Sequence, residues 1–208
     1  MGRYTGPKHK LCRRLGSCVW GDGKCPSIKR PYAPGQHGPT LRRKTTVYGQ
    51  QLNDKQRIQV HYGLLEKQMR RTFNKAQRMG GVTGTNLLML LESRLDSVVY
   101  RLGFARTMHQ ARQIVSHGHI LVDGQKCNMP SFQVKPGMTV SVKEKSRKIP
   151  ALAEGAANPP ATIPEYLERA PESFEGKMSA TPNLETIPSV SYTHLRAHET
   201  VLDLVCRL

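Results

Sequence analysis

The alternation of apolar and polar residues first takes on a helical period at Asn53, which reads as an N-cap, and Gly63 separates a first helix from a second. In the second, Leu65, Met69, Phe73 and Ala76 fall on one stripe, while Lys67, Arg70, Arg71, Lys75 and Arg78 take the other faces, until Gly80-Gly81 stops it. Thr85 predicts the N-cap of the clearest helix. Its stripe runs through Leu88, Leu91, Leu95, Val98 and Leu102, with Gly103 just past its end. Arg94 and Arg101 lie off that stripe, on nearly one face. Thr107-Met108-His109-Gln110 reads as a capping box opening a short helix that buries Ala111, Ile114 and Val115 and stops at Gly118.

The period then switches to two. His119-Ile120-Leu121-Val122 meets Gln125-Lys126-Cys127 across Asp123-Gly124, a strong hairpin signal because both turn residues need positive φ. Phe132-Gln133-Val134 is a third strand candidate. After the Pro136-Gly137 turn, Met138, Val140 and Val142 alternate with polar neighbours as a half-exposed strand. The fold class is therefore α+β, with a compact module of helices and twisted antiparallel hairpins.

Two flanks lack such patterning. Residues 1–50 are rich in Gly, Pro and Arg/Lys and read as an irregular arm that orders only against a partner. Residues 150–190 turn to Pro, Ala and Glu and read as linker, with Ile163-Pro164-Glu165-Tyr166-Leu167 seeding a short helix.

Charge decides the class of partner. Of 32 Lys/Arg, 28 lie in residues 1–150 against 7 Asp/Glu, whereas residues 151–208 hold 4 against 8. So one-signed a surface is the footprint of phosphate-backbone binding. Apolar residues make up only 38% of the chain, below the usual ~45–50%, so a large core is not expected. The longest apolar run, Leu87–Leu91, is far short of the ~20 residues of a membrane span, and the polar N-terminus carries no signal-peptide pattern. Five cysteines argue against a disulfide framework and for the cytosol.

Enzyme chemistry finds little support. Gly21-Asp22-Gly23 has Pro26 where a third glycine belongs, and no Walker or nucleophile-elbow motif occurs. Glu92 and Asp96 sit one helical turn apart beside Arg94 and Arg101, which suits ion pairing better than catalysis. His9, Cys12, Cys18 and Cys25 are weak candidate metal ligands, and His117-Gly118-His119 a lesser one, because the glycine breaks the helix and makes the two side chains diverge. The spacings of the first four do not form the paired knuckle of zinc sites, so no metal or cofactor is expected, with zinc as the lesser alternative. A short capped helix feeding a hairpin, with no long recognition helix, suits folded RNA read through phosphates and 2′-hydroxyls, and the helix start at Thr107 offers backbone N–H donors to a phosphate.

These residues carry a resemblance. Leu91-Glu92-Ser93-Arg94-Leu95-Asp96-Ser97 running on to Leu102-Gly103-Phe104-Ala105, then Gln110-Ala111-Arg112-Gln113-Ile114-Val115 and His117-Gly118-His119-Ile120, closely resemble the bacterial small-subunit ribosomal protein S4 family. So do Arg30-Pro31-Tyr32, Pro34-Gly35-Gln36-His37-Gly38, Glu66-Lys67-Gln68, Gly81-Val82-Thr83-Gly84, Pro136-Gly137 and Glu144-Lys145-Ser146, so the resemblance spans about residues 2–150.

The resemblance implies five parts: a basic arm (1–50), a helical domain (51–85) completed by the C-terminal segment, an S4-type RNA-binding module (86–148), a linker and C-terminal segment (149–189), and a tail (190–208). From Val190 the chain departs from the family and resembles a translated sequencing adapter, so that tail, with Cys206, is expected not to be native. The resemblance also implies a non-enzymatic protein that binds small-subunit ribosomal RNA directly, nucleates assembly of the subunit body, adjoins proteins S5 and S12 and contributes to decoding accuracy. It takes no small-molecule substrate and meets no membrane. The implied RNA contacts are Arg3, Arg13, Arg14, Arg30, Tyr32 and His37 in the arm, and Arg94, Arg101, Arg106, Arg112, His117 and Lys126 in the module. Some members hold zinc with two cysteine pairs; here one pair position is His9 with Cys12, and the second is reduced to Cys25. The competing expectation is the same module serving an RNA-modifying enzyme or a translational repressor.

Overall fold

The computed structural model describes residues 2, 4–20, 23–40, 46–157, 163–170, 173–183 and 186–187. Arg3, the Gly21-Asp22 motif, the 158–162 stretch of the linker and the 190–208 tail lie outside the described residues. The chain forms two compact units, one built on Met1–Asn74 and the other on Lys75–Ser189.

In the first unit the arm holds structure of its own. Helix α1 (Lys8–Leu15) turns Cys12 and Leu15 inward and ends at Gly16, and a single turn, α2 (Pro26–Lys29), follows Cys25. Helix α3 (Val47–His61) begins six residues before Asn53, because the Thr46 hydroxyl accepts the Gly49 N–H at 3.2 Å. Helix α4 (Glu66–Arg78) follows the break at Gly63, and Met69, Phe73 and Ala76 of its expected stripe are buried while Leu65 stays exposed. Lys55 of α3 pairs with Glu66 of α4 at 2.5 Å.

The second unit opens with a correction. The long helix expected from Thr85 to Leu102 is two: α5 (Thr83–Glu92) and α6 (Leu95–Arg101), broken at Ser93-Arg94. The break is occupied by Phe132-Gln133-Val134. Leu95 N–H donates to Phe132 O and Val134 N–H to Ser93 O, both at 2.8 Å, while Gln133 bridges Arg94. That segment is therefore spent on the kink rather than on the sheet, which is why the third strand candidate forms no strand.

Helix α7 (Met108–Ser116) leads into the hairpin of β1 (Ile120–Val122) and β2 (Gln125–Lys126), whose turn residues Asp123 and Gly124 both take positive φ, 49° and 78°. Strand β3 (Thr139–Val142) pairs with β1 in the register Ile120–Val142. Helix α8 (Pro150–Ala157) stands where linker was expected. Beyond it, β4 (Leu167–Arg169) replaces the expected short helix, and β5 (Glu175–Met178) inserts between β3 and β4. The antiparallel sheet runs β2-β1-β3-β5-β4.

Its core is larger than the composition suggested. Eighteen buried apolar residues, from Leu95 and Val98 through Ile120, Val140 and Val142 to Tyr166, Leu167 and Met178, form one cluster. The low chain-wide apolar fraction is diluted by the arm, where the apolar cluster comprises only Cys12, Leu15, Val19 and Cys25.

Candidate nucleic-acid interface

At the start of α7 the capping box forms with one change of partner. Thr107 Oγ1 accepts the Gln110 N–H at 3.2 Å, and Gln110 Oε1 accepts the N–H of Arg106, not of Thr107, at 2.9 Å. With its backbone fixed there, the Arg106 side chain projects into solvent at 70% exposure, its nearest carboxylate being Glu154 at 4.0 Å. At the other end of α7, His117 is exposed, and its ring lies 6.0 Å from that of His119. Gly118 between them has φ 71°, and a Cβ there would run into the side chain of Lys126 crossing from the hairpin. Lys143 N–H donates to His119 O at 2.9 Å, and His119 Nδ1 lies 2.9 Å from Ser146 Oγ. These contacts bring the His117 and His119 rings and the Lys126 side chain to one corner, and Lys143 and Lys145 are exposed in the segment that follows β3. The sequence reading named His117 and Lys126 but passed over Lys143 and Lys145, although the basic run Lys143–Lys148 after β3 was the available signal.

Three expected contacts are elsewhere. Arg94, Arg101 and Arg112 are buried, at 4%, 3% and 8% exposure. Arg94 Nε and Nη2 grip Asp96 bidentately at 3.0 and 2.8 Å, with Arg112 Nη1 4.0 Å from the same carboxylate. Arg101 Nε and Nη2 grip Glu92 at 3.1 and 2.7 Å, and the Tyr166 hydroxyl donates to Glu92 at 3.1 Å. A helical wheel puts both arginines off the leucine stripe. The Phe132–Val134 segment and Tyr166 cover that face, so the guanidinium planes close internal ion pairs instead of a surface.

In the first unit, Arg13 is also spent internally. Its Nε and Nη2 donate to the carbonyls of Tyr32 and Ala33 at 3.2 and 3.4 Å, and its guanidinium lies 4.8 Å above the Tyr32 ring. That half-buries Tyr32 and ties α1 to the loop after α2. Arg14, Arg30 and His37 remain exposed, as do Lys67, Arg70 and Arg71 of α4 and, within the second unit, its Lys75 and Arg78.

The arm also brings together groups that the spacing kept apart. One donor atom each of His9, Cys12 and Cys25 lies within 4.8 Å of the others. His9 Nδ1 is 3.3 Å from Cys25 Sγ, and the Ser27 hydroxyl donates to the same sulfur at 3.1 Å. Burial pushes the Cys12 thiol up to about 12, its neighbour Cys25 adding to the rise. At Cys25 burial also opposes ionisation, but the hydrogen bonds from Ser27, His9 and Cys18 prevail and bring it down to about 6. Zn–S bonds of ~2.3 Å and Zn–N bonds of ~2.0–2.1 Å on a tetrahedron put N and S ligands about 3.5 Å apart, so this donor set fits zinc. Cys12, Cys18, Cys25 and Cys127 are free thiols.

Two family models match the chain: one described as the ribosomal protein S4/S9 N-terminal domain over residues 3–92, the other as the S4 domain over residues 93–140. Among similar proteins, small ribosomal subunit protein uS4 of Geobacillus sp. (strain WCH70) is 52% identical over 189 residues, covering 91% of this chain and 94% of its own length. The uS4 protein of Thermoanaerobacter sp. (strain X514) is 49% identical over 201 residues, 94% of this chain and 97% of its own. That of Halalkalibacterium halodurans is 48% identical over 189 residues.

Proposed function

The chain belongs to the ribosomal protein S4 family, and from that premise we propose that it is a non-enzymatic constituent of the small ribosomal subunit that binds small-subunit ribosomal RNA directly. The observation that carries the reading is the corner formed by His117, His119 and Lys126, reinforced by the exposed Arg106 at the opposite end of α7. Cations held on a capped helix and a tight hairpin are fixed before the ligand arrives, so less order is lost on binding. Two imidazoles and an ammonium group at one corner suit the phosphates and 2′-hydroxyls of a folded RNA rather than base edges in a major groove. In the first unit, Arg14, Arg30, His37 and the basic faces of α4 extend the same chemistry.

The finer expectations belong to the same proposal: residence on the ribosome in the cytoplasm, early nucleation of the subunit body, proximity to proteins S5 and S12, and an effect on decoding accuracy. Filter binding to small-subunit ribosomal RNA tests its core. With about eight phosphate contacts, log K is expected to fall against log salt with a slope of roughly −0.9 per contact on duplex RNA-like geometry. A protein that ignores the transcript at moderate ionic strength, or binds it without salt dependence, would overturn the proposal.

A further inference from the structure

We propose that Asp123 and Thr139 are positioning residues for RNA binding: they clasp the hairpin turn to β3 and so hold Lys126 ready for a phosphate, a role that presupposes RNA at the corner of His117, His119 and Lys126. Lys126 sits on β2, a strand of two exposed residues at the edge of the sheet. Pairing along so short an edge strand fixes a side chain poorly. The turn supplies what the strand lacks. Asp123 N–H donates to Thr139 O at 2.9 Å, and Asp123 Oδ1 accepts both the Thr139 N–H at 2.8 Å and the Thr139 hydroxyl at 3.1 Å. Charge-assisted bonds of this kind are roughly twice as strong as neutral ones. The left-handed backbone at Asp123, φ 49°, is one that Asp adopts more readily than most residues.

The stem of the lysine is guided from the other side. It crosses Gly118, where a Cβ would stand 2.3 Å from Lys126 Cε and 3.1 Å from Nζ. The ammonium is thereby set at the C-terminal end of α7, close to the negative pole of the helix and beside the glycine that separates the two histidines. Asp123 is itself an exposed carboxylate on a surface that receives a polyanion. By charge alone it opposes RNA. Its Oδ1 is turned onto β3, so what it adds to binding runs through geometry, by ordering the lysine before the ligand arrives.

Filter binding of the full-length chain to small-subunit ribosomal RNA tests this, because the two roles of Asp123 differ in sign. Deleting a negative charge beside a polyanion should raise affinity, so a fall reports lost position. Asp123→Gly keeps the positive φ free of strain and is expected to bind about ten-fold more weakly, while Thr139→Val, which loses the hydroxyl bond, binds about three-fold more weakly. Asp123→Asn and Thr139→Ser keep the acceptor and the hydroxyl and should stay within about two-fold of the parent. In a Lys126→Ala background, Asp123→Gly should change affinity by less than about two-fold, because the lysine it places is gone. An independent measurement uses the unaltered protein: the Asp123 and Thr139 amides should exchange slowly with solvent before RNA is added. Asp123→Gly binding as tightly as the parent, losses that add in full to that of Lys126→Ala, or amides protected only once RNA is bound would each overturn the proposal and leave RNA at the corner standing. Lys126→Ala binding like the parent would overturn both.

Discussion

The two units use the same residue type in opposite ways. Around the leucine-rich helices α5 and α6, arginine is an interior residue: Arg94, Arg101 and Arg112 close ion pairs with Asp96 and Glu92 beside an eighteen-residue apolar cluster. In the first unit, where the cluster beneath α1 is built from Cys12, Leu15, Val19 and Cys25, arginine mostly stays outside and polar clasps add order. Arg13 on the carbonyls of Tyr32 and Ala33 is one, Lys55 on Glu66 another, and the His9–Cys12–Cys25 cluster a third. A high arginine count thus says little about where the cations stand. The carboxylates decide it: Glu92 and Asp96 draw three guanidiniums inward, and where acids are scarce the cations remain available to an outside polyanion.

The sharpest way to break this contrast is to remove a buried carboxylate. Glu92→Ala strands the Arg101 guanidinium and the Tyr166 hydroxyl, and is expected to cost about 3–5 kcal/mol of folding stability in urea denaturation. Arg94→Ala, which leaves Asp96 without its bidentate partner, should likewise act through stability; RNA affinity lost with an unchanged melting curve would return Arg94 to the surface. On the exposed side the effects should reverse. Arg106→Ala or Lys126→Ala is expected to weaken RNA binding by about 1.5–3 kcal/mol in filter binding, each flattening the salt slope by about one contact. Stability in these two variants should stay within about 0.5 kcal/mol. Thr107→Ala removes the cap that fixes the start of α7 and should cost about 1 kcal/mol in thermal unfolding. Glu154→Gln is the smallest change. Its pair with Arg106 is long and open to solvent, so stability should move by less than about 0.5 kcal/mol.

What could be read in the chain was local. The Thr107–Gln110 cap, the Asp123-Gly124 turn and the helix stops at Gly63 and Gly118 depend on residues a few positions apart, and each occurs where the pattern placed it. The break at Ser93-Arg94 was hidden because its cause, Phe132–Val134, lies about forty residues away. The buried arginines were hidden for a related reason: helical periodicity measures distance from one stripe and is blind to a second surface packed over the opposite face. Strands β4 and β5 are three and four residues long and carry Glu, Arg, Gly and Lys, so only pairing with β3 reveals them. The His9–Cys12–Cys25 cluster was legible in composition but not in spacing, since the loop that returns Cys25 to α1 has no periodic signature.

The sheet order carries a consequence for how the protein is made. Strand β5 lies between β3 and β4, and Tyr166 reaches Glu92 across 74 positions. A nascent chain that has emerged only as far as Arg147 presents β3 with an open edge and the Glu92–Arg101 pair without its tyrosine. Such an edge is a template for mispairing, so vectorial synthesis leaves the sheet vulnerable until residues beyond Met178 have cleared the exit tunnel and sealed it.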